Sequence, residues 1–264
     1  MKITSPHNPL IKEYSRLLKS SRYRRLSGKI ALEGPNLVEE ALKAGLEPEI
    51  IFTTVEYKEG GGYALFKSLP GGVKQAVLPK KLFVKMAATE SPQEIAAIFF
   101  YRQYPVGEWV AKKQDPVLIL DRLQDPGNLG TLIRTAAAAG MSRVYLVAGG
   151  ADPFGPKALR ASAGAVFQIP LIAIEDPALL ISTLKSKDIQ IVGTDATAPL
   201  PYWEADYTRP TAVVIGNEAA GILPELLSTV DCSVAIPLDG NVESLNAATA
   251  GAVIIYEMMR QRQA

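Results

Sequence analysis

The chain has 264 residues, 48% of them hydrophobic, with 28 basic and 27 acidic side chains and a formal net charge of +1, enough for one large domain or two modest ones. A single cysteine, Cys232, and a single histidine, His7, exclude an internal disulfide and a His/Cys metal cluster. The chain lacks a long uncharged apolar run, and MKITSPHNPL lacks the apolar stretch of a secretory signal, so membrane insertion and export are not indicated and a cytoplasmic location is expected.

The charge is unevenly spread. Residues Met1–Ile30 hold eight cations against Glu13 alone, a local net charge of +7 that leaves −6 for the remainder. The pattern Leu10, Tyr14, Leu17 and Leu18 predicts a basic amphipathic helix over Pro6–Leu26, with Arg22, Arg24 and Arg25 near its end and Lys29 just beyond. Such a segment suits RNA phosphate contact, although a solvated helix face has the same composition. An apolar stretch at Lys29–Glu33, a helix over Asn36–Ala44 closed by Gly45 and an extended run at Glu49–Thr53 make a small β-α-β start. Turns are expected at Glu59–Gly62 and Pro70–Gly72 around a short helix at Tyr63–Ser68, and a closing strand at Ile95–Tyr101. The polar stretch Arg102–Gln114 predicts an interdomain linker, so that residues 1–105 form one domain, 106–114 the linker and 115–264 a second domain.

Beyond it, short apolar strands alternate with helices, the pattern of a parallel α/β sheet. Strands are expected at Val117–Leu120, Arg143–Val147, Ile189–Val192, Ala212–Ile215 and Ser233–Ile236, with helices at Leu129–Ala139, Pro177–Lys187 and Ser244–Arg260.

Ligands of parallel α/β domains gather where strands end and helices begin, and three such turns have unusual composition. In LDRLQDPGNLGTLIRTAAAAG (Leu120–Gly140), Asn128 can fix a glycine-bearing loop and Arg134 lies one turn into the helix. A capped helix with a surface arginine would look the same. In VVIGNEAAGI (Val213–Ile222), Gly216 lets a ligand near the backbone, Asn217 and Glu218 follow, and Gly221 sits in an expected helix. The spacing fits neither G-x-G-x-x-G nor G-x-x-x-x-G-K-[ST], which disfavours a nucleotide-dependent oxidoreductase. In IPLDGNVESLNAATAGAVIIYE (Ile236–Glu257), Ser244 and Asn246 stand at a helix start, as caps or site residues, before small residues suited to close packing.

Together, DPGNLGTLIRTA, VIGNEAAG and IPLDGNVESLNAATA resemble the three ordered motifs of the SpoU (TrmH) branch of the SPOUT RNA methyltransferases. GPKALRASAGAVFQIP (Gly155–Pro170) resembles the family's segment between the first two motifs, and LEGPNLVEEAL (Leu32–Leu42) resembles the L30e-like substrate-binding domain of many members. The resemblance implies a C-terminal parallel-sheet domain with a deep trefoil knot, a smaller α/β L30e-like domain before it, S-adenosylmethionine as cofactor and a homodimer whose subunits share their sites. It places Gly216, Ile236, Leu245, Thr194, Asn217 and Leu238 around the cofactor, and Asn128, Arg134, Glu218, Ser244 and Asn246 around a ribose. Members often read SLNVS where this chain reads SLNAA at Ser244–Ala248, so a hydroxyl is absent at Ala248, and Thr249 points about 100° away on a helix.

The implied activity is 2′-O-ribose methylation of structured RNA, with ribosomal RNA favoured over tRNA by the L30e-like extension. A non-catalytic RNA-binding factor on the same fold is the reading from another class. Arg134 is expected to orient the 2′-oxygen and an adjacent phosphate, while Asn128 and Glu218 hold Arg134 and the loop.

Overall fold

The computed structural model describes residues 1–60, 65, 69, 71–89, 91–101, 115–240, 242 and 244–263. Its contacts divide the described residues into two compact units, Met1–Gln103 with Phe154–Phe167, and Tyr104–Pro153 with Gln168–Ala264. The expected linker at 106–114 and most of the expected helix at Tyr63–Ser68 lie outside the described residues, as do parts of the flanking turns.

The first unit opens with two helices where one was expected. Helix α1 (Pro9–Lys19) stops at Ser20, whose backbone is extended and whose hydroxyl accepts the Tyr23 N–H to cap helix α2 (Ser21–Ser27). A serine that can satisfy the free N–H groups of a new helix competes well with continuing the old one. The break turns Arg24 inward. It is 5% exposed, and its Nη1 donates to the carbonyls of Leu17 and Leu18 at the end of α1. Lys29 is likewise engaged, with Glu13 and Glu49 each 2.8 Å from its Nζ and the Phe100 ring beside it. The sequence pattern therefore overstates the cations available to phosphate: Arg24 holds the helix junction and Lys29 is neutralised by two carboxylates. The side chains of Arg22 and Arg25 reach the surface.

Strands β1 (Lys29–Glu33), β2 (Pro48–Thr53), β3 (Lys74–Val77) and β4 (Ile95–Phe100) form a sheet in the order β1-β4-β2-β3. The expected closing strand is thus interior, antiparallel to β1 and β2; burial of Ile95–Phe99 on both faces explains its unbroken apolar run. Helix α3 (Pro35–Lys43) links β1 to β2 and ends at Gly45, whose φ of 77° only glycine adopts readily. Tyr14 and Leu17 of α1 pack into the same core as Phe52, Phe83 and Ile98. Phe154–Phe167, including the helix Pro156–Ser162, packs with this unit, although the sequence pattern assigns it to the second domain.

The second unit is a seven-stranded, wholly parallel sheet: β5 (Val117–Asp121), β6 (Arg143–Val147), β7 (Leu171–Ile174), β8 (Gln190–Thr194), β9 (Leu200–Pro201), β10 (Thr211–Ile215) and β11 (Cys232–Ala235). Their order is β7-β6-β5-β10-β8-β11-β9. Strands β7 and β9 are not expected from the sequence; β9 has only two residues, whereas β7 is a short apolar run of four. Val117, Ile119, Ala212 and Val214 bury one face against Leu180, Ile181 and Leu184 of the helix Pro177–Lys185. On the other face, helix α6 (Pro126–Ala138) packs against the C-terminal helix α10 (Ala247–Gln263). A Cβ on Gly251 of α10 would lie 2.4 Å from Leu132 and 3.5 Å from Ile215, which explains the small-residue composition as close helix packing. Ala248 is buried, whereas Thr249 faces outward.

Arg24→Ala should lower stability by about 2 kcal/mol, because two helix-end carbonyls lose a charged donor, while Arg22→Ala should change it by less than about 0.5 kcal/mol; thermal melts of both variants check this.

Candidate active site

The helix α6 starts where the sequence predicts a turn: Asp125 caps it by accepting the Asn128 N–H at 2.9 Å, and Pro126 needs no donor at the first helical position. The next acceptor comes from far along the chain. Glu218, in the loop after β10, accepts the backbone N–H of Gln124 at 3.0 Å and of Asp125 at 3.2 Å, and the Asn128 side-chain amide at 3.0 Å. Asn128 in turn accepts from the Asn246 amide at 2.8 Å. Asn246 Oδ1 accepts the N–H groups of Ala248 and Thr249, capping α10. Asn246 is therefore both a helix cap and a member of the site.

Partial burial pushes the Glu218 pKa up, but hydrogen bonds from Asn128, Gln124 and Asp125 outweigh it and leave the carboxyl below the usual carboxylate range. Glu218 is thus a fixed negative charge at neutral pH and a poor proton acceptor.

These side chains border a cavity of about 700 Å³ at the C-terminal ends of the adjacent strands β10, β8 and β11. All six positions expected around a cofactor line it: Thr194, Gly216, Asn217, Ile236, Leu238 and Leu245. Asn128, Glu218, Ser244 and Asn246 line it too. Two contribute differently from the sequence reading. The Thr194 hydroxyl donates to the Val214 carbonyl at 3.0 Å, and Asn217 braces its own loop, accepting from Ala219 and Ala220 and donating to the Arg122 carbonyl.

Gly216 also has a reason beyond ligand approach. A Cβ there would lie 2.4 Å from the backbone of Gly221 and Ile222, so the loop can fold back on itself only over a glycine. The expected helix around Gly221 is absent. Asn217 and Gly221 exchange backbone hydrogen bonds across a tight turn, Gly221 has a φ of 65°, and the next helix begins at Pro224.

Arg134 is the site residue that the structure does not bring in. It is exposed on α6, is not among the cavity-lining residues and forms no hydrogen bond or ion pair with a described residue. Six residues along a helix carry it about 9 Å from Asn128 and roughly 120° around the axis. Asn128 and Glu218 therefore hold each other and the loop, not Arg134. Asp195 and Ala196 line the cavity unpredicted; their place just beyond an apolar strand was the available signal.

A seven-stranded parallel sheet with three strand-end loops closed into one hydrogen-bonded pocket defines an α/β ligand-binding enzyme domain. The SpoU rRNA Methylase family matches residues 115–256, more than half of the chain, and this chain belongs to that family. An MRM3-like substrate binding domain matches residues 8–97. The chain is 35% identical over 257 residues to the 23S rRNA (guanosine(2553)-2′-O)-methyltransferase RlmP of Bacillus subtilis, covering 97% of this chain and 98% of that protein. The crystal structure of the SpoU methyltransferase AviRb from Streptomyces viridochromogenes with the cofactor AdoMet superimposes with a TM-score of 0.89 at 26% identity, covering 98% of this chain and 99% of that one. An AdoMet-bound rRNA methyltransferase from Sinorhizobium meliloti gives 0.87 at 30% identity, covering 98% and 97%.

Because the folded-state pKa of Glu218 is lowered, its contribution to stability is present above the ordinary carboxylate value and is lost as pH falls through the lowered one. Melting temperatures of the wild type and Glu218→Gln should differ most near neutral pH and converge in acid; parallel curves would show that the carboxylate's charge does not hold the loop.

Proposed function

We propose that this protein transfers the methyl group of S-adenosylmethionine to a ribose 2′-hydroxyl of ribosomal RNA. The Glu218–Asn128–Asn246 chain of hydrogen bonds carries the reading, because it joins all three motif turns at the edge of one cavity. The cavity volume lies in the range for cofactor pockets, roughly 300–1,000 Å³. Its lining suits an adenosine and a charged amino-acid tail: Ile215, Ile236, Leu238 and Leu245 offer apolar walls, and the peptide groups of Leu238 and Leu245 hydrogen-bond to no described residue. The trefoil knot of the family's fold belongs to this reading, as do a homodimer and a cytoplasmic location.

When bound, S-adenosylmethionine supplies a methyl group on a cationic sulfur, open to in-line attack. The chain's own part is positioning. The backbone around Gly216, Ile236, Leu238 and Leu245, with Thr194 and Asn217 behind it, holds the cofactor. Asn128, Ser244 and Asn246 face the ribose. Glu218, a weak base, keeps Asn128 oriented and does not take the proton. The cavity lining contains no histidine, lysine or cysteine among its described residues, and its other carboxylate, Asp195, is engaged by the N–H and hydroxyl of Thr197; the 2′-proton leaves to phosphate or water.

Arg134 orients the 2′-oxygen and a neighbouring phosphate, but from the other subunit. Its exposure and its distance from the pocket of its own chain support delivery across a homodimer. Arg134→Ala should lower single-turnover methylation by about 10²–10³-fold and leave S-adenosylmethionine affinity unchanged. Mixed dimers of Arg134→Ala with Glu218→Ala chains should regain activity that neither homodimer shows. Full activity of Arg134→Ala alone would remove the assignment. Mapping 2′-O-methyl groups in RNA from cells with and without the gene should reveal one lost 23S position; a loss confined to tRNA would replace the substrate, and a protein that binds no S-adenosylmethionine would be a non-catalytic RNA-binding factor.

The first unit presents the RNA. Its exposed cations Arg22 and Arg25 contact phosphate, while Arg24 and Lys29 shape the surface. Reversing the charge of Arg22 and Arg25 should weaken RNA binding and lower its salt-dependence slope by about 2, with cofactor binding unaltered; an unchanged slope measured by filter binding would move the contact elsewhere.

A further inference from the structure

The end of β5 carries a charged group that none of the roles above uses. Asp121 is 0% exposed. Its Oδ2 accepts the backbone N–H of Leu223, 102 residues away, at 2.7 Å, and its carboxylate pairs with Arg122 through Nε at 2.9 Å and Nη2 at 3.2 Å. A buried carboxylate is costly unless paired and hydrogen-bonded. An apolar side chain or an asparagine would fill the strand end at lower cost if packing were its only task.

What Asp121 and its neighbour hold is the loop Gly216–Ile222, one wall of the cavity. Leu223, at the loop's far end, is bound by the Asp121 carboxylate. Asn217, at the near end, donates to the Arg122 carbonyl at 2.9 Å. Two successive residues of one strand end thus grip both ends of the loop. The grip requires Arg122 to adopt a φ of 53°, a left-handed conformation that is uncommon for a side-chain-bearing residue. The chain after β6 supports that turn. A Cβ on Gly150 would come within 3.0 Å of the Leu123 carbonyl, the Ala151 N–H donates to it at 2.7 Å, and Gln124 Nε2 bridges the carbonyls of Arg122 and Gly149.

From this geometry we infer that Asp121 is a positioning residue for the cofactor: it holds the Gly216–Ile222 wall in its binding conformation before S-adenosylmethionine arrives, through Leu223 directly and Asn217 by way of Arg122. Preorganising a binding loop removes its ordering cost from the binding free energy. Glu218 lies in the same loop but is held separately by Gln124, Asp125 and Asn128. Loss of the Asp121 clamp therefore acts on cofactor affinity more than on methyl transfer at saturation. The inference rests on the cofactor reading proposed above.

The test uses the full-length protein and isothermal titration with S-adenosylmethionine. Asp121→Asn leaves one amide to serve an N–H donor on one side and a guanidinium on the other, and can satisfy only one. It should raise the Kd about tenfold, raise KM for S-adenosylmethionine in step, and leave kcat at saturation and the Kd for RNA within twofold. Should that variant fail to fold, a second pair isolates the same hydrogen bond. Leu223 has a φ of −49°, close to proline's, so Leu223→Pro deletes the N–H, and Leu223→Ala controls for the lost side chain. Leu223→Pro should weaken S-adenosylmethionine binding about tenfold relative to Leu223→Ala. Wild-type affinity in a folded Asp121→Asn, equal affinities of the two Leu223 variants, or a kcat that falls as far as KM rises would overturn the inference alone. A wild-type protein that binds no S-adenosylmethionine would overturn the cofactor reading with it.

Discussion

The peptide N–H groups at the head of α6 have no partner within the helix, and supplying them organises the second unit's site. Asp125 takes one of them locally. Those of Gln124 and Asp125, just ahead of the first turn, are met by Glu218, some 90 residues further along the chain. A negative charge is favoured at this position by the helix dipole and by the charge-assisted character of the bonds. Their consequence is topological, since the loop after β10 must lie beside the turn after β5. Once Glu218 is there, Asn128 is oriented with its amide toward the carboxylate and its carbonyl oxygen outward, where Asn246 finds it. One electrostatic requirement thus brings together three turns that are far apart in sequence.

The second unit was the more legible half because its strands are buried on both faces and show as continuous apolar runs: five of its seven strands were predictable within two residues. The two that were not, Leu171–Ile174 and Leu200–Pro201, are the sheet's outermost strands; the second is only two residues long, and the first, though wholly apolar, is a four-residue run directly after Pro170. The cavity residues were legible because glycine, asparagine and glutamate cluster at strand ends for reasons of backbone access and hydrogen bonding. Arg134 stands outside the cavity of its own chain for a reason periodicity contains: six residues from Asn128 is the far side of a helix. The helix expected around Gly221 gave way to a turn because Asn217 can hydrogen-bond its own loop more locally than a helix would.

In the first unit, counting charges misled where sorting them required the fold. Eight cations in thirty residues look like one surface, yet Arg24 is spent on helix-end carbonyls and Lys29 on two carboxylates. Ser20 is the origin of the difference, since its cap breaks the predicted helix and turns the following residues about a new axis. The unit's interior strand Ile95–Phe100 shows the complementary point. An unbroken apolar run states that both faces are covered, but not whether the strand is the last or the middle of its sheet.

The loop at Gly216 has an implication for how such a protein can diversify. Its curvature comes from main chain pressed against main chain, with no space for a side chain at the point of closest approach. A pocket wall made this way presents peptide groups, which substitution does not alter, and a change that does intrude displaces the wall entirely. Drift in sequence can therefore neither tune nor gradually retarget that part of the pocket. Side chains that face outward, such as Arg22 on the helical start of the first unit, carry no such constraint, so a substitution there changes surface chemistry without moving main chain.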